Sequence, residues 1–427
     1  MNILVLNCGS SSLKFQIIST DEVAISNNTD KILAKGLIEK VGTNEAAISF
    51  KSLTTSSGST NIYSVTKPIL DHKDALYSLM EWLAMPTTII DGISSTKDID
   101  AIGHRTVHGS ESFNSSVLIN ASVVSELEAN IELAPLHNPA NLKGIDAATE
   151  VFGKDISQVG VFDTAFHTTM PEYAYMYGID YDLSKKHRIR RYGFHGTSHR
   201  YMGIRYRELT GKSITDTNII SLHLGNGGSI AAIKNGQSID TTMGFTPLEG
   251  LIMGTRCGDI DPTIIEYIMQ KEDKTLKQTF DLLNKKSGLF GISGISNDMR
   301  DIEENMYEGH NRSILAHDMF CYRIKKYVGA YLSIMNGADA IVFTGGIGEN
   351  DSIIRHKICN DMDYIGMSLD KSLNETTIKG IEGNIAHKDS KIAVYVIPTN
   401  EELMIARDTY CIVSNKKILE TYCALLL

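Results

Sequence analysis

Short apolar runs closed by polar turns open the chain. Ile3 to Leu6, Leu13 to Ile18, Ile32 to Ile38, Ala46 to Phe50 and Ile62 to Val65 predict strands, and a helical spacing follows at Ala75 to Leu83. Beyond Ile99, strand-like runs at Val159 to Phe162, Ile219 to Leu224 and Ala340 to Thr344 stand between helical patterns near Glu126, Ala148, Ile264, Leu282 and Ile324. That order predicts sheets flanked by helices. Ile3 to Ile17 and Ile220 to Lys234 share one pattern, an apolar strand, a Gly/Ser/Asn turn and a second apolar strand, which suggests a duplicated architecture with a cleft between the halves. Their turns offer backbone N–H groups of the kind that cradle phosphate, although ordinary hairpins use the same residues.

A length of 427 residues points to two or three domains, and 42% hydrophobic with 22% charged residues is a folded, globular mix. Lys and Arg number 41 against 51 Asp and Glu, a net charge of −10, which argues against a nucleic-acid or membrane partner gripped by bulk charge. The N-terminal run reaches a polar turn too soon for a signal peptide, and no apolar stretch approaches membrane-spanning length, so a cytoplasmic location is expected. Cys8, Cys257, Cys321, Cys359, Cys411 and Cys423 show no C-x-x-C spacing and read as free thiols.

Several familiar motifs fail. Thr210-Gly-Lys-Ser213 has Tyr206 where a P-loop requires glycine, and it follows a helix instead of a strand. His195 and His199 lack the glutamate of a zinc-peptidase helix. In contrast, Gly345, Gly346 and Gly348, between an apolar strand and a helical pattern, exceed what a simple turn needs and suit close approach to a nucleotide. Arg105 and Arg256 on glycine-flanked loops, with His137 and His195 on others, favour an anion-processing site, because guanidinium forks match carboxylate and phosphate oxygens.

Ten stretches together resemble the acetate kinase family, within the superfamily of sugar kinases, heat-shock chaperones and actin. They include Asn7-Cys-Gly-Ser-Ser-Ser-Leu-Lys14, Gly103-His-Arg-Thr-Val-His-Gly109, Ala134-Pro-Leu-His-Asn-Pro139, Val161-Phe-Asp-Thr-Ala-Phe-His167, Arg191 to His199, His223-Leu-Gly-Asn-Gly227, Thr242 to Gly250, Gly254 to Pro262, Gly345 to Asn350 and Thr399-Asn-Glu-Glu-Leu403. The resemblance implies an α/β fold of two duplicated actin-like (ribonuclease H-like) domains with mixed sheets and an interdomain active-site cleft. Domain I would be 1–165 plus 398–427 and domain II, the nucleotide-binding one, 166–397. It implies reversible transfer of the ATP γ-phosphoryl group to acetate, giving acetyl phosphate and ADP, with Mg²⁺ (or Mn²⁺) as cofactor, and a homodimer.

Carried over by motif, Asn7 and Glu401 would position the metal, Arg105 and Arg256 would hold the carboxylate and the moving phosphoryl group, and His195 would stabilise the transition state. Asp163 is implied to be catalytic, and His137 adds a donor. Nucleotide contacts would come from Lys14, from His223, Leu224, Gly225, Asn226 and Gly227, from Asp298, Met299 and Arg300, and from Gly346, Ile347, Gly348, Glu349 and Asn350. Val107, Leu136, Phe194 and Pro247 are candidates for the methyl pocket of the acid. A carboxylic acid with a pKa of about 4 to 5 is already ionised at pH 7 and needs no general base. Asp163 is therefore expected to orient Mg²⁺ or Arg256. The polar runs Thr20 to Asp30 and Ile381 to Asp389 and the apolar tail Ala424 to Leu427 read as surface additions.

Rival readings are a propionate or butyrate kinase of the same family, a non-enzymatic nucleotide-binding switch protein of the superfamily, and a pyrophosphate-using kinase. Paired arginines disfavour the switch, and the open glycine turn, with room for adenosine, disfavours pyrophosphate.

Overall fold

In the computed structural model, which describes residues 1–53, 60–135 and 137–415, the chain divides into two units, Met1–Phe166 with Asn400–Leu427, and His167–Thr399. The first unit carries strands β1 (Asn2–Cys8), β2 (Ser12–Ser19), β3 (Lys31–Glu39), β4 (Thr43–Leu53), β5 (Thr60–Ile69), β6 (Ala101–Thr106), β7 (Val117–Leu118) and β8 (Ser157–Phe162), in the order β5-β4-β3-β2-β1-β6-β8-β7. The second carries β9 (Ile219–Leu224), β10 (Gly228–Lys234), β11 (Gln237–Thr241), β12 (Ala340–Thr344), β13 (Gly383–Asn384) and β14 (Ala393–Val396), ordered β11-β10-β9-β12-β14-β13.

The arrangement β3-β2-β1-β6-β8 recurs as β11-β10-β9-β12-β14. In each, two antiparallel pairings lead to two parallel ones. The two segments that share a sequence pattern are the hairpins β1/β2 and β9/β10, so the duplication is one of strand order as well as of pattern.

Alternation sorts the first sheet into two faces. Leu4, Leu6, Leu13, Phe15 and Phe50 pack on Leu76, Leu79 and Trp82 of the helix His72–Leu83. Phe15 meets Phe50 edge-on with ring centroids 5.1 Å apart, and Gly36 lies beneath them, where a Cβ would come within 2.4 Å of both rings. In the second unit, Ile220, Leu222, Ile341 and Phe343 pack on Phe320, Ile324 and Val328 of the helix Asn311–Met335. Among the described residues no helix is long and apolar enough to cross a membrane, and Cys8, Cys257, Cys321, Cys359 and Cys411 are free thiols.

The opposite face of β1, β6 and β8 is covered by the helix Glu401–Val413. Its Arg407 is 1% exposed and pairs with Asp30, itself 3% exposed, while donating to Asn28 Oδ1 at 2.6 Å. Thr20 donates its hydroxyl to the same carboxylate. The run Thr20 to Asp30 is thus only partly a surface addition, because its last residue neutralises the most deeply buried cation of the C-terminal helix. Glu382, in the other polar run, pairs with Arg205. The tail Ala424 to Leu427 lies outside the described residues.

Removing one partner of a buried ion pair strands the other charge and costs about 3 to 5 kcal/mol. Asp30→Ala should lose that much in urea unfolding followed by circular dichroism. A loss below about 1 kcal/mol, the range of exposed pairs, would show that the pair does not hold the helix.

Candidate active site

In the first unit the chemistry gathers at the carboxyl ends of parallel strands, the usual place for ligands in such sheets. Asn7 is next to last in β1, Arg105 next to last in β6, and Asp163 follows β8 directly, its N–H donating to Thr106 O at 3.0 Å. Arg105 Nε reaches the two Asp163 oxygens at 3.1 and 3.2 Å, and Nη2 reaches Oδ2 at 2.7 Å. This bidentate pair uses one edge of the guanidinium and leaves Nη1 for another anion. The arginine that Asp163 grips is therefore Arg105, its neighbour across adjacent strands, in place of the expected Arg256.

The Asp163 charge holds the Arg105 pKa above its ordinary value. Burial raises the Asp163 carboxyl, Arg105 opposes the rise, and His137, at the start of the helix Asn138–Phe152, acts in the same direction as Arg105. Glu401, the first residue of its helix, is raised by burial and lowered by Arg105, and its Oε1 is shut off from water with no hydrogen-bond partner. Lys14 lies on β2 opposite Asn7. Leu136 lies outside the described residues.

Asn141 was not singled out from the sequence. Buried on the helix Asn138–Phe152, it accepts from Val107 N–H at 3.1 Å and donates to Arg105 O at 3.1 Å and to Cys8 O at 3.4 Å, so one amide ties the ends of β1 and β6 together. Its only signal was a polar residue in the apolar stripe of a helix.

In the second unit His195 precedes the helix Gly196–Thr210 in a left-handed conformation, φ 56°. Its Nδ1 meets Ser229 Oγ at 2.9 Å, and the same hydroxyl meets His199 Nε2 at 2.8 Å. His199 is fully buried, and burial holds its pKa well below the ordinary value, so its imidazole is neutral. One hydroxyl thus ties His195 Nδ1 to His199 Nε2. The His195 ring stacks on His223 at 4.3 Å.

Beside His195, a Cβ on Gly227 would lie 3.5 Å from Arg256 Nη1 and 3.6 Å from His195 Cε1, so arginine, imidazole and turn converge. The Arg256 side chain hydrogen-bonds to Met253 Sδ at 3.7 Å, and burial alone lowers its pKa. It has no carboxylate partner among the described residues. Phe194 is buried, with its carbonyl 3.1 Å from His167 Nε2, and Pro247 is half-buried.

A cavity of about 560 Å³ opens in the same unit, lined by Gly225, Asn226, Asp298, Met299, Arg300, Gly346, Ile347 and Asn350, joined by Asn297, Glu303 and Asp351. Gly345 brings its two glycine turns together. Its φ is +76°, and a Cβ there would lie 2.7 Å from Leu224 O. Leu224, Gly348 and Glu349, expected as nucleotide contacts, do not line the cavity. Leu224 is core, and Glu349 Oε1 accepts from Gly345 N at 2.9 Å and Thr399 N at 3.0 Å, fastening backbone. Behind the turn, fully buried Arg355 donates to Gly348 O and Glu349 O at 3.0 Å and to Asn374 Oδ1 at 2.8 Å. Burial brings its pKa down to about 10.

Among the described residues no group of three or more His, Cys, Asp or Glu is placed to cage a metal. A Mg²⁺ carried on phosphates needs only one or two protein oxygens, and the orphaned Glu401 Oε1 fits that demand.

Residues 2–407 match the acetokinase family. The acetate kinase of Chloroherpeton thalassium is 55% identical over 418 residues, 98% of this chain and all of that protein. The crystal structure of Porphyromonas gingivalis acetate kinase matches with a TM-score of 0.88 at 45% identity, covering 96% of this chain and 99% of its own. That of a propionate kinase from Francisella tularensis subsp. tularensis SCHU S4 matches with a TM-score of 0.85 at 42% identity, covering 96% and 98%. A match over nearly the whole chain, on a duplicated fold that carries half-buried arginines beside glycine turns, means that this protein belongs to the acetokinase family.

Proposed function

We propose that this chain transfers the γ-phosphoryl group of ATP to acetate, reversibly, giving acetyl phosphate and ADP. The observation that carries this reading is Arg256, a half-buried cation with no carboxylate partner among the described residues, beside His195 and in the same unit as a cavity of nucleotide size. Burying a charge without a counter-charge is costly, and an anionic ligand supplies the counter-charge.

In the first unit, the Nη1 edge of Arg105 takes the acetate carboxylate while Asp163 holds the opposite edge rigid. Asp163 acts by orientation, because the acceptor is ionised before it binds. In the second unit, Arg256 and His195 offset charge on the phosphoryl oxygens, and the cavity takes the nucleoside. Charge offset and alignment make up most of the catalysis in phosphoryl transfer. Glu401 and Asn7 would hold Mg²⁺, which would neutralise phosphate charge when bound with the nucleotide.

The homodimer implied by the resemblance finds support in the helix Thr263–Glu272, which has no buried residue within this chain. Ile264, Tyr267, Leu276 and Phe280 are exposed on it and on the adjoining helix Leu276–Lys285. Light scattering should give twice the 47.0 kDa chain mass, and Tyr267→Glu should return one chain mass. A monomeric parent protein would overturn the dimer.

Arg256→Ala and Arg105→Ala should each lower kcat/KM by two orders of magnitude or more, since a lost transition-state charge contact costs about 3 to 4 kcal/mol. Arg256→Ala strands no carboxylate and should keep the parent circular dichroism spectrum. Near-parental turnover in both variants would refute their assigned roles.

A longer acid is the second reading, favoured by the match to a propionate kinase structure. Val107 is half-buried, two residues from Arg105, with its N–H fixed by Asn141. If it closes the acid pocket, Val107→Ala admits one more methylene, worth roughly 1 kcal/mol, and propionate gains up to about tenfold over acetate in kcat/KM. An acid preference identical in variant and parent would remove Val107 from the pocket.

A further inference from the structure

The sheet of the second unit has one face that is buried and yet polar. Ile220, Leu222, Ile230 and Ala232 of β9 and β10 turn into the apolar core. Their neighbours Ser221, His223 and Ser229 alternate to the other face, where Ser229 stands opposite His223 and the helix Gly196–Thr210 packs on β9. Ser221, Ser229 and His199 are all fully buried. Their side chains form one line of hydrogen bonds: Ser221 Oγ meets His199 Nδ1 at 2.9 Å, His199 Nε2 meets Ser229 Oγ at 2.8 Å, and Ser229 Oγ meets His195 Nδ1 at 2.9 Å. Apolar side chains fill the other face without desolvating any polar group, so stability alone does not call for a buried line of hydroxyls and imidazoles here.

The line reaches His195, the ring to which the proposed phosphoryl transfer gives charge offset, and the inference rests on that reading. His195 carries a left-handed φ of 56°, which few non-glycine residues adopt and which lasts only where surrounding contacts enforce it. Ser229 takes the Nδ1 side of the ring. On the far side, Cε1 and Nε2 lie 3.6 and 3.7 Å from where a Cβ on Gly227 would stand, and Arg256 Nη1 lies 3.5 Å from the same point. Turning the ring over would bring carbon to the place of Nε2, and the hydrogen bond at Nδ1 is what a turned ring would lose. We propose that Ser229 is a positioning residue for phosphoryl transfer: its hydroxyl holds the His195 ring with Nε2 towards the turn at Gly227, and His199 and Ser221 hold that hydroxyl in place. Ser229 acts through His195 and touches no substrate.

A double-mutant cycle separates positioning from general support of the fold. Ser229→Ala should lower kcat for acetyl phosphate formation about tenfold or more, as a small misplacement of a reacting group does. KM for acetate and for ATP should stay within about twofold, since neither binding contact is removed. Added to His195→Ala, the same change should leave kcat within about twofold, because the ring it positions is gone. An equal loss in both backgrounds would overturn the proposal, and so would parental kcat in Ser229→Ala. A crystal structure of Ser229→Ala reads the positioning without turnover. The His195 ring should leave its 4.3 Å stack on His223 or spread over more than one orientation, and a ring unmoved from its parental place would overturn the proposal. A parent chain inactive on acetate would overturn the function proposed above, and the crystal structure would still decide the role of Ser229. Should Ser229→Ala not fold, Ser229→Cys, which keeps a weak donor and acceptor at the position, replaces it in both measurements with a smaller loss.

Discussion

Two guanidiniums are taken out of water on opposite terms, and the rest of the molecule answers to that difference. Arg105 is held at 2.7 Å by Asp163, which requires β6 and β8 to be neighbours and their ends to be level. Asn141 then fixes the Arg105 carbonyl and the Val107 N–H just beyond it. Arg256 has no such partner among the described residues, and its loop is held mainly through neighbouring groups, with Met253 N donating to Arg256 O at 3.1 Å, Cys257 N to Leu283 O at 3.0 Å and the Thr255 hydroxyl to Asn284 O at 2.9 Å. One arginine is placed before any ligand arrives. The other keeps its full charge for the ligand, and the fold bears the desolvation cost.

The duplicated strand order extends this logic to both units. Parallel pairing of β1 with β6 and of β9 with β12 leaves an end at which polar residues can leave the ladder without breaking it, since successive residues alternate faces. Asn7 and Arg105 occupy that end in the first sheet and His223 in the second. Both sets rest on apolar strands that water does not reach, and this keeps their electrostatics strong.

Much of the fold was legible because its signals are local. The hairpins β1/β2 and β9/β10, the helix after Ala75 and the glycine turn at 345–348 each announce themselves within a dozen residues. Side chains that act across long separations left no such trace. Asp30 meets Arg407, 377 residues away, and Ser229 joins two histidines that the sequence presents as a bare pair. The glycine motif was read for its fit to a nucleotide, and what fastens it was not visible there: Glu349 Oε1 accepts from two backbone N–H groups and Gly348 O accepts from Arg355. A residue that shapes a turn and one that touches what the turn holds read alike in one dimension.

The return of the chain to the first sheet sets an order on synthesis. Strands β1, β6 and β8 are finished by Phe162, but the helix that covers their second face begins only at Glu401, after all of His167–Thr399 has been made. At about 5 to 20 residues per second, that face waits roughly 10 to 50 seconds on the ribosome with Ile3 and Val5 uncovered and Asp30 without its arginine. The second unit meets no such delay, since its strands and its covering helices lie within one continuous stretch. Its last strand, Ala393–Val396, is made only a few residues before the helix at Glu401, so the two sheets are completed at nearly the same moment of synthesis although the first was begun long before.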